Sequence, residues 1–135
     1  MKIGVRKNEE SKRKLSARQE IVSLLLSSRK PMSVPEILAI LKEGGKEYNK
    51  TTLYREIENL KHTDAVKELF FRNDMALYEL SGEHHHHLVC VACGDVREVK
   101  IEESLAVEEE KLAKREQFVI LDHSLEFFGK CKQCQ

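Results

Sequence analysis

Residues 84–93 read His84-His85-His86-His87-Leu88-Val89-Cys90-Val91-Ala92-Cys93, and this stretch decides the fold of the second half of the chain. Leu-Val-Cys-Val is β-prone, so the histidine run enters or opens a strand over residues 86–91. Side chains on a strand alternate between faces. His84 and His86 then point one way, and His85 and His87 the other. One run of four thus feeds two metal sites with two imidazoles each, imidazole being the commonest metal ligand. An affinity tag would sit at a terminus, whereas this run is internal.

The run flows into Cys90-Val91-Ala92-Cys93, and a second pair, Cys131-Lys132-Gln133-Cys134, lies 37 residues further on. The four cysteines of the chain are all in these pairs. The opening MKIGVRKNEESKRKL has no apolar segment of the kind that marks secretion, so a reducing, cytoplasmic setting is expected and disulfides are disfavoured. Two CxxC pairs suit a tetrahedral four-thiolate zinc site, each pair gripping one side of the ion. The long gap requires the second pair to fold back onto the first. A redox CxxC would open a helix after a strand, and too few residues follow Cys131 for that. Between the pairs the pattern gives a turn at Gly94-Asp95, a strand over 96–101 and a helix over 104–117 with Leu105, Leu112 and Ala113 on one face. A strand over 118–121 follows, and Asp122-His123 then leads into residues 125–128.

Upstream, Ser81-Gly82 is the best hinge. Before it, residues 65–71 and 75–80 read as a hairpin turning at Arg72-Asn73-Asp74. Three helical segments precede the hairpin. Ser16 caps the first, with Ile21, Val22, Leu24 and Leu25 as its stripe, and Pro31 ends it. Ser33-Val34-Pro35-Glu36 opens the second as a near capping box, and Gly44-Gly45 closes it. Asn49 or Thr51 caps the third, which buries Leu53, Ile57 and Leu60. Helix, helix, turn, helix and a hairpin make a winged helix-turn-helix. The class is therefore α+β. An N-terminal winged helix-turn-helix DNA-binding domain spans 1–80, with a basic arm at 1–14. A hinge covers 81–83, and a C-terminal α/β metal-binding dimerisation domain covers 84–135.

The chain has 23 Lys+Arg and 23 Asp+Glu among 135 residues, so its formal charge is zero. The sum hides an asymmetry. Residues 1–62 hold 14 basic and 8 acidic side chains, and residues 83–135 hold 7 against 11. A basic front on an acidic back suits a front that meets phosphates. Recognition helices read base edges from their N-terminal turns and place cations on phosphates. The candidates are Arg18, Asn49, Lys50, Thr51, Thr52, Tyr54 and Arg55, with Lys12, Arg13 and Lys14 nearby. No apolar run approaches a bilayer span, so no membrane partner is expected. Neither HExxH nor the deaminase H-x-E with P-C-x-x-C occurs, and no catalytic residue is assigned.

Taken together, these residues resemble the ferric uptake regulator (Fur) family of bacterial metal-sensing repressors. Thr51-Thr52-Leu53-Tyr54-Arg55 is similar to the family's recognition-helix signature. Residues 83–94 resemble its HHHxHLhCxxCG block, with Glu83 in place of the first His. Residues 123–134 resemble its H-x-L-x-h-x-G-x-C-x-x-C close. The resemblance implies a homodimer on a double-stranded, pseudo-palindromic DNA operator. It implies structural Zn(II) on Cys90, Cys93, Cys131 and Cys134. A regulatory hinge site would use Glu79, His85, His87 and Glu98, and a second site His84, His86 and His123. An all-His/Glu hinge set implies Fe(II) as the sensed ion, with Mn(II) or Zn(II) as alternatives. Two other roles compete, a zinc-sensing repressor and a zinc-scaffolded adaptor without metal-responsive DNA binding.

Three positions depart from the family pattern. Its loop histidine before the second helix is Pro31 here. Its dimerisation-helix glutamate aligns with Ala106, leaving Glu103, Glu109 or Glu110 to substitute. Its glycine after the recognition helix is Asp64, a residue type that tolerates left-handed backbone.

Overall fold

The computed structural model describes residues 15–71 and 74–135. The arm at 1–14, with Lys12, Arg13 and Lys14, and the turn residues Arg72 and Asn73 lie outside the described residues. The chain divides into two compact units, one ending at Ser81 and the other running from Gly82 to Gln135.

The first unit holds α1 (Ala17–Ser28), α2 (Val34–Glu43), α3 (Lys50–His62) and an antiparallel hairpin of β1 (Val66–Phe70) and β2 (Ala76–Leu80). Local chemistry sets each boundary. Ser16 caps α1 in a capping box with Gln19, and α1 stops at Arg29, whose φ is 54°. Ser33 and Glu36 form the box that opens α2. Asn49, not Thr51, caps α3, its side-chain oxygen accepting from the Thr52 N–H. After α3 the chain reverses through Asp64 at φ 62°, in the left-handed region its residue type tolerates.

Each helix contributes one stripe to a single core. Ile21 and Leu25 come from α1, Val34, Ile37 and Leu41 from α2, and Leu53, Ile57 and Leu60 from α3. Val66 and Tyr78 of the hairpin close it. Met32 and Tyr78 exchange backbone hydrogen bonds of 2.9 and 2.8 Å, so the α1–α2 connection adds a rung to β2. That rung makes residue 31 the neighbour of Glu79. Glu68 joins helix to hairpin, accepting from Lys61 Nζ at 3.0 Å and from Tyr78 Oη at 2.9 Å.

The second unit is built on the sheet β4-β3-β5, comprising β3 (His86–Cys90), β4 (Val96–Val99) and β5 (Glu126–Gly129). β3 pairs antiparallel with β4 and parallel with β5. A helix, α4 (Ala106–Glu116), lies between β4 and β5 in sequence. It buries none of its residues and packs against no other described element. The strand expected over 118–121 does not form. Among the described residues no strand pairs with it, and Phe118, Val119 and Leu121 are 69%, 82% and 91% exposed. On the expected helix face Leu112 is exposed, while Leu105 and Ala113 are half-buried. Among the described residues, no helix is long and apolar enough to cross a membrane.

Glu68→Ala should destabilise the chain by about 1–3 kcal/mol, because Tyr78, 3% exposed, loses the acceptor of its hydroxyl. Urea denaturation followed by circular dichroism measures this. Lys61 holds the Glu68 carboxyl below its ordinary range. Its contribution is therefore complete above that range and fades as pH falls through the lowered value. The variant should lose that part of the acid dependence.

Candidate functional site

Parallel pairing of β3 with β5 sets Cys90 opposite Gly129 and so carries Cys131 and Cys134 to the first cysteine pair. All four sulfurs lie within 4.8 Å of one another. Cys93 Sγ and Cys131 Sγ are 3.8 Å apart. A disulfide would hold them at about 2.05 Å. Zinc–sulfur bonds of about 2.3 Å put tetrahedral sulfurs about 3.8 Å apart, so the set fits zinc. The backbone N–H groups of Cys131 and Cys93 aim at Cys90 Sγ from 3.4 and 3.5 Å. They draw the Cys90 thiol down to about 6, Cys131 being the stronger cause. Cys134 is pushed up to about 12 by its thiol neighbours, Cys131 foremost. Sulfurs this close resist ionising together unless a cation neutralises them, so zinc entry would expel protons.

The histidines divide as the alternation of strand faces requires. The rings of His84 and His86 are 4.6 Å apart, and those of His85 and His87 are 4.9 Å apart. At the other end of β5, His123 joins the first pair. Glu103 from the loop before α4 completes this group, and one donor atom from each of the four residues lies within 4.8 Å of the others. Glu103 Oε1 is 3.0 Å from His84 Nε2 and 2.9 Å from both His86 Nε2 and His123 Nε2. These contacts, that of His123 foremost, hold the Glu103 carboxyl down at about 2. The same contact raises the His123 pKa. Glu103 Oε2 is buried without a hydrogen-bond partner, an orphaned acceptor that a cation would satisfy. His86 is fully buried, and its Nδ1 accepts the Leu125 N–H at 3.0 Å. Three imidazoles and a carboxylate suit a tetrahedral divalent ion once His86 moves its ring proton to Nδ1 and gives up the Leu125 N–H, because an Nδ1 that accepts leaves the proton on Nε2.

Of the three acids left open by the Ala106 departure, Glu103 is the one within the donor set. Glu109 stands behind it, its Oε1 2.7 Å from His123 Nδ1. Glu110, the next residue on α4, points about 100° away from Glu109 around the helix and accepts from Lys114 Nζ at 3.1 Å.

The hinge residues fall in both units. Glu79 lies on β2 opposite Lys67, and His87 lies on β3 opposite Glu98. His85 precedes β3, its Nδ1 2.9 Å from the Glu83 carbonyl. The exposed Glu98 does not share a compact donor set with the two imidazoles. Glu126 stands opposite His87 on the other side of β3. The sequence did not single it out, because parallel register has no local signature.

On α3, Lys50, Thr51, Tyr54 and Arg55 are exposed and Thr52 is half-buried, while Leu53 faces the core. The first turn of α3 contains no acid. Two DNA candidates have other partners. Asn49 spends its side-chain oxygen on the helix cap. Arg18 Nε donates to Glu56 Oε1 on α3 at 2.9 Å, because α1 and α3 pack side by side.

The ferric uptake regulator family model matches residues 10–128 of the chain. The ferric uptake regulation protein of Legionella pneumophila is 34% identical over 120 residues, covering 87% of this chain and 88% of that protein. The one from Bacillus subtilis is 35% identical over 123 residues, covering 87% and 81%. A solved ferric uptake regulator from Francisella tularensis with iron superposes with a TM-score of 0.70 at 28% identity, over 90% of this chain and 93% of that one. With a winged helix-turn-helix, a cysteine tetrad and a divided histidine run already in place, the chain belongs to the ferric uptake regulator family, whose members are transcription regulators that bind metal and not enzymes.

Proposed function

We propose that this chain is a metal-dependent repressor that binds a pseudo-palindromic operator as a homodimer, with Fe(II) as the sensed ion. One observation carries the reading. An exposed, acid-free N-terminal turn on α3 and two separate imidazole pairs share one chain, and only five residues separate Glu79 of the first unit from His85 of the second. Lys50, Thr51, Thr52, Tyr54 and Arg55 would meet bases and phosphates in the major groove. Arg18 would first have to leave Glu56. Cys90, Cys93, Cys131 and Cys134 would hold structural zinc. Glu79, His85, His87 and Glu98 would hold the regulatory ion, Glu98 turning in from its exposed position opposite His87 to join the others. When bound, that ion supplies a cross-link between the hairpin that ends the first unit and the strand that opens the second. DNA affinity and metal affinity must then rise together, since coupling between two ligands is reciprocal.

The homodimer reading is supported by α4 and residues 118–121, where Val107, Leu112, Phe118, Val119 and Leu121 are exposed among the described residues. A two-fold pair of such faces is self-complementary. The bacterial cytoplasm is the expected location. A zinc-sensing repressor is the second reading, favoured by the three imidazoles around Glu103, since imidazole nitrogen suits Zn(II).

Gel-shift titration with Fe(II) under anaerobic conditions, Mn(II) and Zn(II), each with and without chelator, tests the function. Operator binding should need metal and weaken steeply with salt. Binding indifferent to chelator would leave the adaptor reading. His87→Ala should lower the metal-dependent affinity by about 10-fold or more, from the loss of typical coupling, with the dimer intact. Pro31→His restores an imidazole beside Glu79 and should shift the response to lower metal concentration. An unchanged response in both variants would sink the hinge assignment.

Cys93→Ser should cost the second unit its fold, because structural zinc supplies folding free energy. A variant that stays folded and dimeric without zinc, by circular dichroism and sedimentation, would refute the zinc role.

A further inference from the structure

Among the described residues, α4 has no buried apolar anchor. None of its residues is buried, it packs against no other described element, and its N-cap, Leu105, makes no side-chain capping bond. Two acids tie its N-terminal end down instead. Glu103 lies two residues before Leu105, and Glu109 lies in the first turn of the helix. Both carboxylates reach the same histidine. Glu103 Oε1 is 2.9 Å from His123 Nε2, and Glu109 Oε1 is 2.7 Å from His123 Nδ1. His123 thus stands between the second metal set and the helix, with one ring nitrogen toward each.

We propose that Glu109, acting through His123, couples occupancy of the His84/His86/Glu103/His123 set to the association of two copies of the chain. The proposal rests on the reading of this set as a metal site and of the α4 face as the dimer face. Glu109 is a positioning residue and stands outside the donor set. A neutral imidazole that gives Nε2 to a cation keeps its one proton on Nδ1. That proton then belongs to Glu109, the arrangement in which a carboxylate orients a metal-binding histidine. A filled site fixes His123, and His123 fixes the first turn of α4.

The orientation of α4 matters because of what lies beside it. Leu105, Leu112, Phe118 and Leu121 line an open groove of about 1000 Å³ together with Glu109 and His123. One wall of the groove is α4, and the other is the extended segment 118–121. Two copies can interlock there only if the walls keep a fixed spacing. Filling the site should therefore tighten the dimer, and dimerisation should tighten the site by the same factor.

The test uses the full chain with zinc already on its cysteines, and the probe is added Zn(II) alone. Sedimentation over a dilution series gives the dimer dissociation constant with and without the added ion, and equilibrium dialysis gives the number of ions bound. The wild-type chain should dimerise about 10-fold more tightly when the added ion binds, within the range typical of coupled sites. Glu109→Ala should bind the same number of ions yet lose most of that tightening. Glu109→Gln keeps an acceptor for the Nδ1 proton and should recover much of it. Both replacements favour helix, so α4 itself is preserved. Equal tightening in Glu109→Ala and wild type would overturn the coupling. Two further results would strike the underlying readings instead. If Leu121→Asp dimerises like wild type, the dimer face lies elsewhere. If the wild-type chain takes up no ion beyond its cysteine-bound zinc, the second set is not a metal site.

Discussion

The parallel pairing of β3 with β5 is the constraint on which the second unit depends. Its register, His87 opposite Glu126 and Cys90 opposite Gly129, works at both ends of a short strand. Beyond one end of β5, Cys131 and Cys134 arrive at Cys90 and Cys93. Before the other end, His123 arrives at His84 and His86. A slip of one residue would reverse the faces of β5 and separate both sets at once. Neither donor set is local in sequence, and both are products of one ladder. The Leu125 N–H donated to His86 Nδ1 locks that ladder to a buried imidazole.

The two units hold together by different means. The first has an ordinary apolar core, drawn from three helices and a hairpin, and its stability follows from burial. In the second, the buried apolar side chains are Val89, Cys90 and Val96, and His86 and His87 are buried beside them. So small a core cannot by itself offset the ordering of the chain. Cysteine and imidazole clusters stand where apolar contacts would, and the exposed apolar side chains of α4 and 118–121 leave burial still to be gained. The division suits a regulator. A unit whose cohesion comes from ligands is one whose order a ligand can change.

What the sequence revealed follows from where each signal resides. The caps at Ser16 and Ser33 and the stripe Leu53-Ile57-Leu60 are local and legible from a few neighbouring residues, whereas Asn49 competes with Thr51 for the third cap and the left-handed Asp64 is marked only by the glycine of the family pattern. The division of the histidine run needed only the alternation of a strand. Glu103 was not separable from Glu109 and Glu110, because nothing local says how a loop approaches a helix. Arg18 is a DNA-binding candidate in the sequence, which does not reveal its partner Glu56 because that residue lies 38 positions away. At 118–121 the composition is that of a strand, but a strand is a property of two segments. β-Propensity describes how well a side chain suits a pleated surface and says nothing of who supplies the neighbour.

The zero net charge belongs to the same logic. It is a balance between a basic front and an acidic back. The acids of the second unit are not spread evenly. Glu103 and Glu109 converge on His123, while Arg97, Lys130 and Lys132 border the sheet face near the cysteine pairs. Carboxylates thus collect where a divalent cation would be held by oxygen and nitrogen, and cations collect near a tetrad whose four thiolates would leave zinc with a net negative charge. The overall neutrality is a sum of local balances, each set by the charge of what that part of the molecule would bind.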